Sequence, residues 1–182
     1  MDIVKHIKQH TENLQKGFEN ASPVQRKNLK LAALWFYFQL PNFELTISKH
    51  INIAITKAQL ITDIDDGKVS QYRRANEHSK AEIDVYAEDY EELEQIEIFI
   101  LDAFDYAIAE EEDVASLVGL FIGIIDTLDY YENFSDEPEY WNALLAAEVA
   151  FQNDMLSKLE LQDNLDMSAY QKRYVDVDFN EL

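Results

Sequence analysis

The chain has 182 residues, a formal net charge of −21 and no cysteine, which excludes disulfides, thiolate metal sites and a cysteine nucleophile. Hydrophobic residues make up 47%, too many for a disordered acidic tail and enough for one domain with a substantial core. With only four Gly and three Pro the segments are long, which favours helices over a many-stranded sandwich.

Asp2 is placed to cap a first helix carrying Ile3, Ile7, Leu14 and Phe18, with Gly17 and Asn20 weakening its end. Ser22-Pro23-Val24-Gln25 opens a second: Ser caps, Pro takes the first helical position and Gln completes a capping box. That helix carries Leu31, Leu34, Trp35 and Phe38, and Pro41 stops it. A third helix is expected over about 44–64, on Ile47, Ile51, Ala54, Ile55, Ala58 and Ile61, although Ile51, Ile53 and Ile55 also alternate like a strand. Asp65-Asp66-Gly67 is a turn, and 69–81 reads as a polar helix bearing Tyr72, Arg73 and Arg74. After a break near 83–87, a helix is expected from Tyr90 to Ala109, with Leu93, Ile96, Ile100, Ala103, Phe104 and Ala107 in one stripe.

Asp113 caps a helix running to about Tyr130. Val114, Leu117, Val118, Phe121, Ile122, Ile125 and Leu128 make it apolar nearly all round, as in the central helix of a bundle. Its apolar run, Val114 to Ile125, is about half of a membrane span. Gly119 and Gly123 allow close helix approach, first as internal packing, and they would also permit a homodimer. Ser135 and Pro138 open the last long helix, with Leu144, Leu145, Phe151, Met155 and Leu159 inward, and Tyr174 to Phe179 alternates enough to lie extended across the bundle. The expectation is an all-α, single-domain bundle of about six or seven helices over 1–162, with an irregular C-terminal tail over 163–182. The first fifteen residues lack the apolar core of a signal peptide, and with no cysteine a cytoplasmic location is expected.

Charge is segregated. Between Lys80 and Lys158 there is no Lys, Arg or His, while Ala81 to Ser157 holds 22 Asp and Glu. The first 80 residues hold 12 of the 15 Lys and Arg and only 8 acids. Such a field repels nucleic acid and anionic membranes and attracts cationic partners.

Chemistry-bearing patterns are few. Glu94-x-x-Glu97 and Asp126-x-x-Asp129 place four acids at i, i+3 spacing, and facing helices would converge them on Mg²⁺, as in all-helical nucleotide pyrophosphatases. Glu88/Glu91, Glu91/Glu94 and Asp102/Asp105 match that spacing equally, and no lysine lies nearby to hold a phosphate, so a solvated acidic face is the plainer reading. His6 and His10 share a helix face but read as surface histidines, and there is no Glu-x-x-His pair, nucleophile elbow or phosphate loop. No cofactor is expected. Asp129 to Phe134 and Asp136 to Trp141 mix aromatics with acids around an inter-helix loop, where Tyr and Trp would anchor a basic partner unless Tyr131, Phe134 and Trp141 plug the bundle end.

Leu40-Pro41-Asn42-Phe43, Asp102-Ala103-Phe104-Asp105-Tyr106-Ala107 and Glu148-Val149-Ala150-Phe151-Gln152, followed by Leu156 and Leu159, occur in that order. In this the chain resembles the YjaG-like family of uncharacterised all-helical bacterial proteins over about 29–159, which implies a helical bundle and no catalytic residues.

The sequence thus predicts a non-enzymatic acidic protein that neutralises a basic protein. The expected form is a bacterial immunity protein or antitoxin whose carboxylates mimic a phosphate backbone and block a cationic toxin such as a nuclease. The expected contact residues are Glu88, Glu91, Glu92 and Glu94 on one helix face, and Tyr130, Tyr131, Glu132, Asp136, Glu137, Tyr140 and Trp141 around the loop. The alternative is Mg²⁺-dependent nucleotide hydrolysis on Glu94, Glu97, Asp126 and Asp129.

Overall fold

A computed structural model describes residues 3–162 and 165–180, with side chains from residue 6 onward. The expected Asp2 cap and Ile3 contact lie outside these. Among the described residues there are nine helices and no strand: α1 (Ile3–Asn20), α2 (Pro23–Tyr37), α3 (Phe43–Ile51), α4 (Lys57–Asp65), α5 (Ser70–Glu82), α6 (Gln95–Ala107), α7 (Val114–Phe134), α8 (Pro138–Glu160) and α9 (Ala169–Arg173).

α7 is the hub of an all-α bundle and packs against α8, α6, α1 and α2. Leu117, Leu120, Phe121, Ile124 and Leu128 are buried on several of its sides. Over 21 residues it is long and apolar enough to cross a membrane by length and composition, yet half of its most apolar window is buried inside the fold. Its two glycines face inward. A Cβ on Gly119 would stand 2.7 Å from the Tyr106 ring, and one on Gly123 would stand 2.5 Å from the Tyr37 hydroxyl. The spacing therefore lets α6 and α2 approach α7.

The caps written in the sequence form. Ser22 Oγ accepts from Gln25 N at 3.2 Å while Gln25 Oε1 accepts from Ser22 N at 2.8 Å. Asp113 accepts from Ser116 N at 3.0 Å at the start of α7.

The expected helix over 44–64 is two helices. Asn52 turns the chain with φ of 53°, a left-handed conformation Asn tolerates better than the β-branched residues beside it. Ser48 Oγ then accepts from Ile55 N at 3.1 Å, and Thr56 Oγ1 caps α4 by accepting from Gln59 N at 3.1 Å. Among the described residues five helices lack a basic residue of their own in the last turn, α1, α2, α4, α6 and α7, and at the ends of α1, α4 and α6 the chain makes up for it from elsewhere. Cations on other helices supply the missing donors to their orphan carbonyls. Arg26 donates to Phe18 O and Glu19 O, both at 2.8 Å, and Lys27 donates to Asp65 O at 3.2 Å. Lys30 donates to Ala109 O at 3.0 Å and Arg73 to Ile108 O at 2.7 Å.

The tail forms the short helix α9 and irregular turns rather than an extended segment. Tyr170, Tyr174 and Phe179 are buried in the core, so the apolar alternation there serves three separate anchor points.

Candidate functional site

The segment 83–94, between α5 and α6, is not helical. This corrects the expected helix from Tyr90 and the expected helix face of Glu88, Glu91, Glu92 and Glu94. The cause is local. α6 begins at Gln95 because Glu94 and Glu97 form a reciprocal cap, with Glu97 Oε2 accepting from Glu94 N at 2.9 Å. Extending the helix backward would also stack Glu88, Glu91, Glu92 and Glu94 at like-charge i, i+3 and i, i+4 spacings, which disfavours it.

Ile83, Val85, Tyr86, Tyr90 and Leu93, all on this segment, are five of the thirteen large hydrophobic side chains exposed on the described surface, with Tyr86 93% exposed. One short connection therefore carries a concentrated apolar and aromatic patch interleaved with carboxylates. Leu93, expected in the buried stripe of α6, belongs to this patch.

A groove of about 530 Å³ lies beside it. Glu91, Glu92, Glu94 and Glu97 line one side, Pro41, Asn42 and Thr46 another, and Tyr131, Phe179 and Asn180 close it from α7 and the tail. A second groove, of about 350 Å³, adjoins the first and shares Thr46, Glu91, Glu92 and Glu97 with it. There Tyr90 and Leu93 join Thr46, Lys49 and His50 of α3. Burial draws the His50 imidazole below its usual range, against the hydrogen bond its Nε2 makes to Asn76 Oδ1. Among the described residues, none of Glu91, Glu92, Glu94 and Glu97 has a Lys, Arg or His nitrogen within 4.0 Å. Their charge faces solvent.

The structure thus gathers Glu91, Glu92, Glu94 and Tyr131 at one groove, with Glu88 exposed on the same segment outside it. Tyr131 and Trp141 are stacked with centroids 4.3 Å apart and are buried, so both are core plugs and neither offers a face to a partner. Phe134, expected as a third plug, is 68% exposed because it lies in the last turn of α7, beyond the packed end. Its ring rests on that of the half-buried Tyr130 at 4.7 Å. Asp136, Glu137 and Tyr140 line a separate shallow depression, and Glu132 accepts from Asn142 Nδ2 at 2.7 Å.

The four carboxylates of the Mg²⁺ alternative do not form one cluster. Among the described residues no three His, Asp or Glu side chains are grouped so as to hold a metal. Glu94 and Glu97 face the α3 and tail side, whereas Asp126 lies on the outer part of α7, where its charge acts on Tyr37 and Tyr106. Partial burial, with Asp129 beside it, raises the Asp126 pKa, and partial burial with Glu132 does the same to Asp129.

The sequence reading passed over a buried polar network. Glu148 and Gln152 share the inward face of α8 with Trp141, Met155 and Leu159, at helical spacing, and both are fully buried. Glu148 accepts from Tyr170 Oη at 2.5 Å, Tyr174 Oη at 2.7 Å and Gln152 Nε2 at 2.9 Å, and pairs with Arg173 Nη2 at 3.3 Å. Gln152 reaches Phe121 O at 3.0 Å and His10 Nε2 at 2.8 Å. Burial, followed by the Glu148 charge, raises both tyrosine pKa values far above the usual phenol range, so these hydroxyls stay protonated donors. The signal was Glu148 and Gln152 at i, i+4 within an otherwise inward series. The network ties α9 and the tail to α8.

The chain matches no protein-family model, no curated protein and no solved structure.

Proposed function

We propose that the chain is a binding protein whose 83–94 segment and adjoining acidic groove take a basic protein. The carrying observation is the coincidence, on one non-helical connection, of five exposed large hydrophobic side chains with Glu88, Glu91, Glu92 and Glu94, none of which is ion-paired among the described residues. The apolar patch supplies contact area and aromatic anchors. The carboxylates supply complementarity to Lys and Arg and a fast, salt-sensitive association. The neutralisation of a cationic toxin by a cytoplasmic bacterial immunity protein or antitoxin is the use that best fits this chemistry. Nucleotide hydrolysis on Mg²⁺ is the less favoured reading, because its carboxylates are dispersed over two faces.

The test is capture of basic proteins from the native host at low salt, with elution by salt. It compares the wild type with E91Q/E92Q/E94Q and with E110Q/E111Q/E112Q, a variant of equal net charge altered elsewhere. The proposal expects one basic protein held by the wild type and the second variant and lost by the first. Equal retention by all three would reduce the interaction to net charge and refute the groove.

A further inference from the structure

Lys30 is 7% exposed in the middle of α2. Its Nζ has one acceptor among the described residues, Ala109 O at 3.0 Å, and no carboxylate within 4.0 Å. An ammonium carries three donors, and a buried charge is costly unless it is paired. Here the missing partners have room. A hollow of about 270 Å³ opens beside Lys30, with Ile64 and Val69 as apolar lining and Lys27 and Arg73 as further cations. Lys27 is engaged by Asp65 at 3.1 Å and Arg73 by Glu110 at 3.1 Å, so among the described residues Lys30 alone of the three lacks a counter-ion.

The rest of the charged lining is Glu110, engaged by Arg73, and two further exposed carboxylates, Glu111 and Glu112. A bare anion would meet these two and the field of a chain with net charge −21. A molecule carrying both signs would meet neither obstacle. The volume lies just below the roughly 300–1,000 Å³ of drug-sized pockets, which fits a molecule of amino-acid size.

We propose that this hollow binds a small zwitterion, its oxyanion (a carboxylate or a phosphate) seated on Lys30 and its cationic group turned to Glu111 and Glu112. The site is separate from the acidic groove, so it stands or falls independently of the proposed protein partner. Burial lowers the Lys30 pKa, with Glu111 the main opposing influence, in keeping with an ammonium short of counter-charge.

Two readouts test it: the melting temperature, and the Lys30 side-chain ¹³Cε resonance of the wild-type chain. The probes are γ-aminobutyrate and phosphoethanolamine, with acetate, inorganic phosphate and ethylamine as single-charge controls. The proposal expects one zwitterion to shift Lys30 selectively and raise the melting temperature, half-saturating at roughly tenfold lower concentration than its single-charge counterparts. Which zwitterion does so tells carboxylate from phosphate. K30M, which replaces the ammonium by an apolar chain of similar length, abolishes the effect. If Lys30 does not respond to either zwitterion, if a single-charge probe matches them, or if K30M binds as the wild type does, the proposal is overturned.

Discussion

Tyr174 donates its hydroxyl to the buried carboxylate of Glu148 at 2.7 Å across 26 positions of sequence, and with Tyr170 and Arg173 it fastens the tail to α8. A carboxylate with no solvent exposure is tolerable because its oxygens are met by donors and a guanidinium. Removing it leaves two buried hydroxyls without their acceptor and Arg173 without its counter-ion.

E148A is therefore expected to destabilise the fold by about 3–5 kcal/mol, the range for breaking a buried pair. It also releases α9 and the tail, read as new proteolytic cleavage after Glu160 and loss of amide protection at Tyr170 and Tyr174. E148Q keeps the shape and loses the charge, so it falls between. Wild-type protection of the tail in E148A would show that apolar contacts alone hold it.

Gly123 and Tyr37 form a second testable pair. The Tyr37 hydroxyl donates to Leu120 O at 2.6 Å and occupies the space a Cβ on Gly123 would enter. G123A is expected to cost about 1–3 kcal/mol by overpacking. Y37F alone loses one buried hydrogen bond, about 1 kcal/mol, yet in the double variant it makes room for the new methyl. Denaturant unfolding of the four proteins should therefore give less than additive losses. Strict additivity would mean that the two sites do not meet.

Stability should peak in mild acid. Asp102, Asp126 and Asp129 have raised pKa values, first through burial and then through neighbouring carboxylates. The folded state binds these protons more tightly than the unfolded chain, so their contribution is complete below the unfolded value near 4 and is lost as pH rises through the folded values. Asp66 and Asp166, held low by hydrogen bonds from Lys68 and Lys172, and Asp113, held low by Ser116, act in the opposite sense and lose their contribution as pH falls through their folded values. His50, held low by burial, opposes the aspartates as pH falls below the usual imidazole range. The melting temperature is therefore expected to rise only once the raised aspartates take up protons, above the unfolded value of about 4, and to fall again in stronger acid, with D126N flattening the rise. A monotonic fall from pH 7 downward would contradict this assignment.

The helices were legible where a local rule decides them. Ser22-Pro23 and Asp113 name their own helix starts, and the apolar girth of α7 names the hub. The split at Asn52 and the late start of α6 were not legible, because periodicity cannot weigh one left-handed residue or a capping pair of glutamates against a continuous stripe. The carboxylates of the candidate site could be read from charge density, but the apolar residues between them could not. Leu93 looks like an ordinary core residue until the fold leaves it outside, and the break expected near 83–87 carries no sign that Ile83, Val85 and Tyr86 are exposed together with it. The charge asymmetry itself has a partly internal cause: Arg26, Lys27, Lys30 and Arg73 serve helix C-termini, which ties several cations to the N-terminal half.

The central claim is that the 83–94 segment and its groove are where this acidic surface meets a cationic partner. The most direct measurement is amide chemical-shift mapping with an arginine-rich peptide, followed across rising salt. The account predicts perturbations concentrated on residues 83–97, Thr46 and Asn180, fading together as salt rises. Shifts scattered over the acidic surface in proportion to local charge, with Glu110 to Glu112 responding as strongly as Glu91 to Glu94, would contradict it.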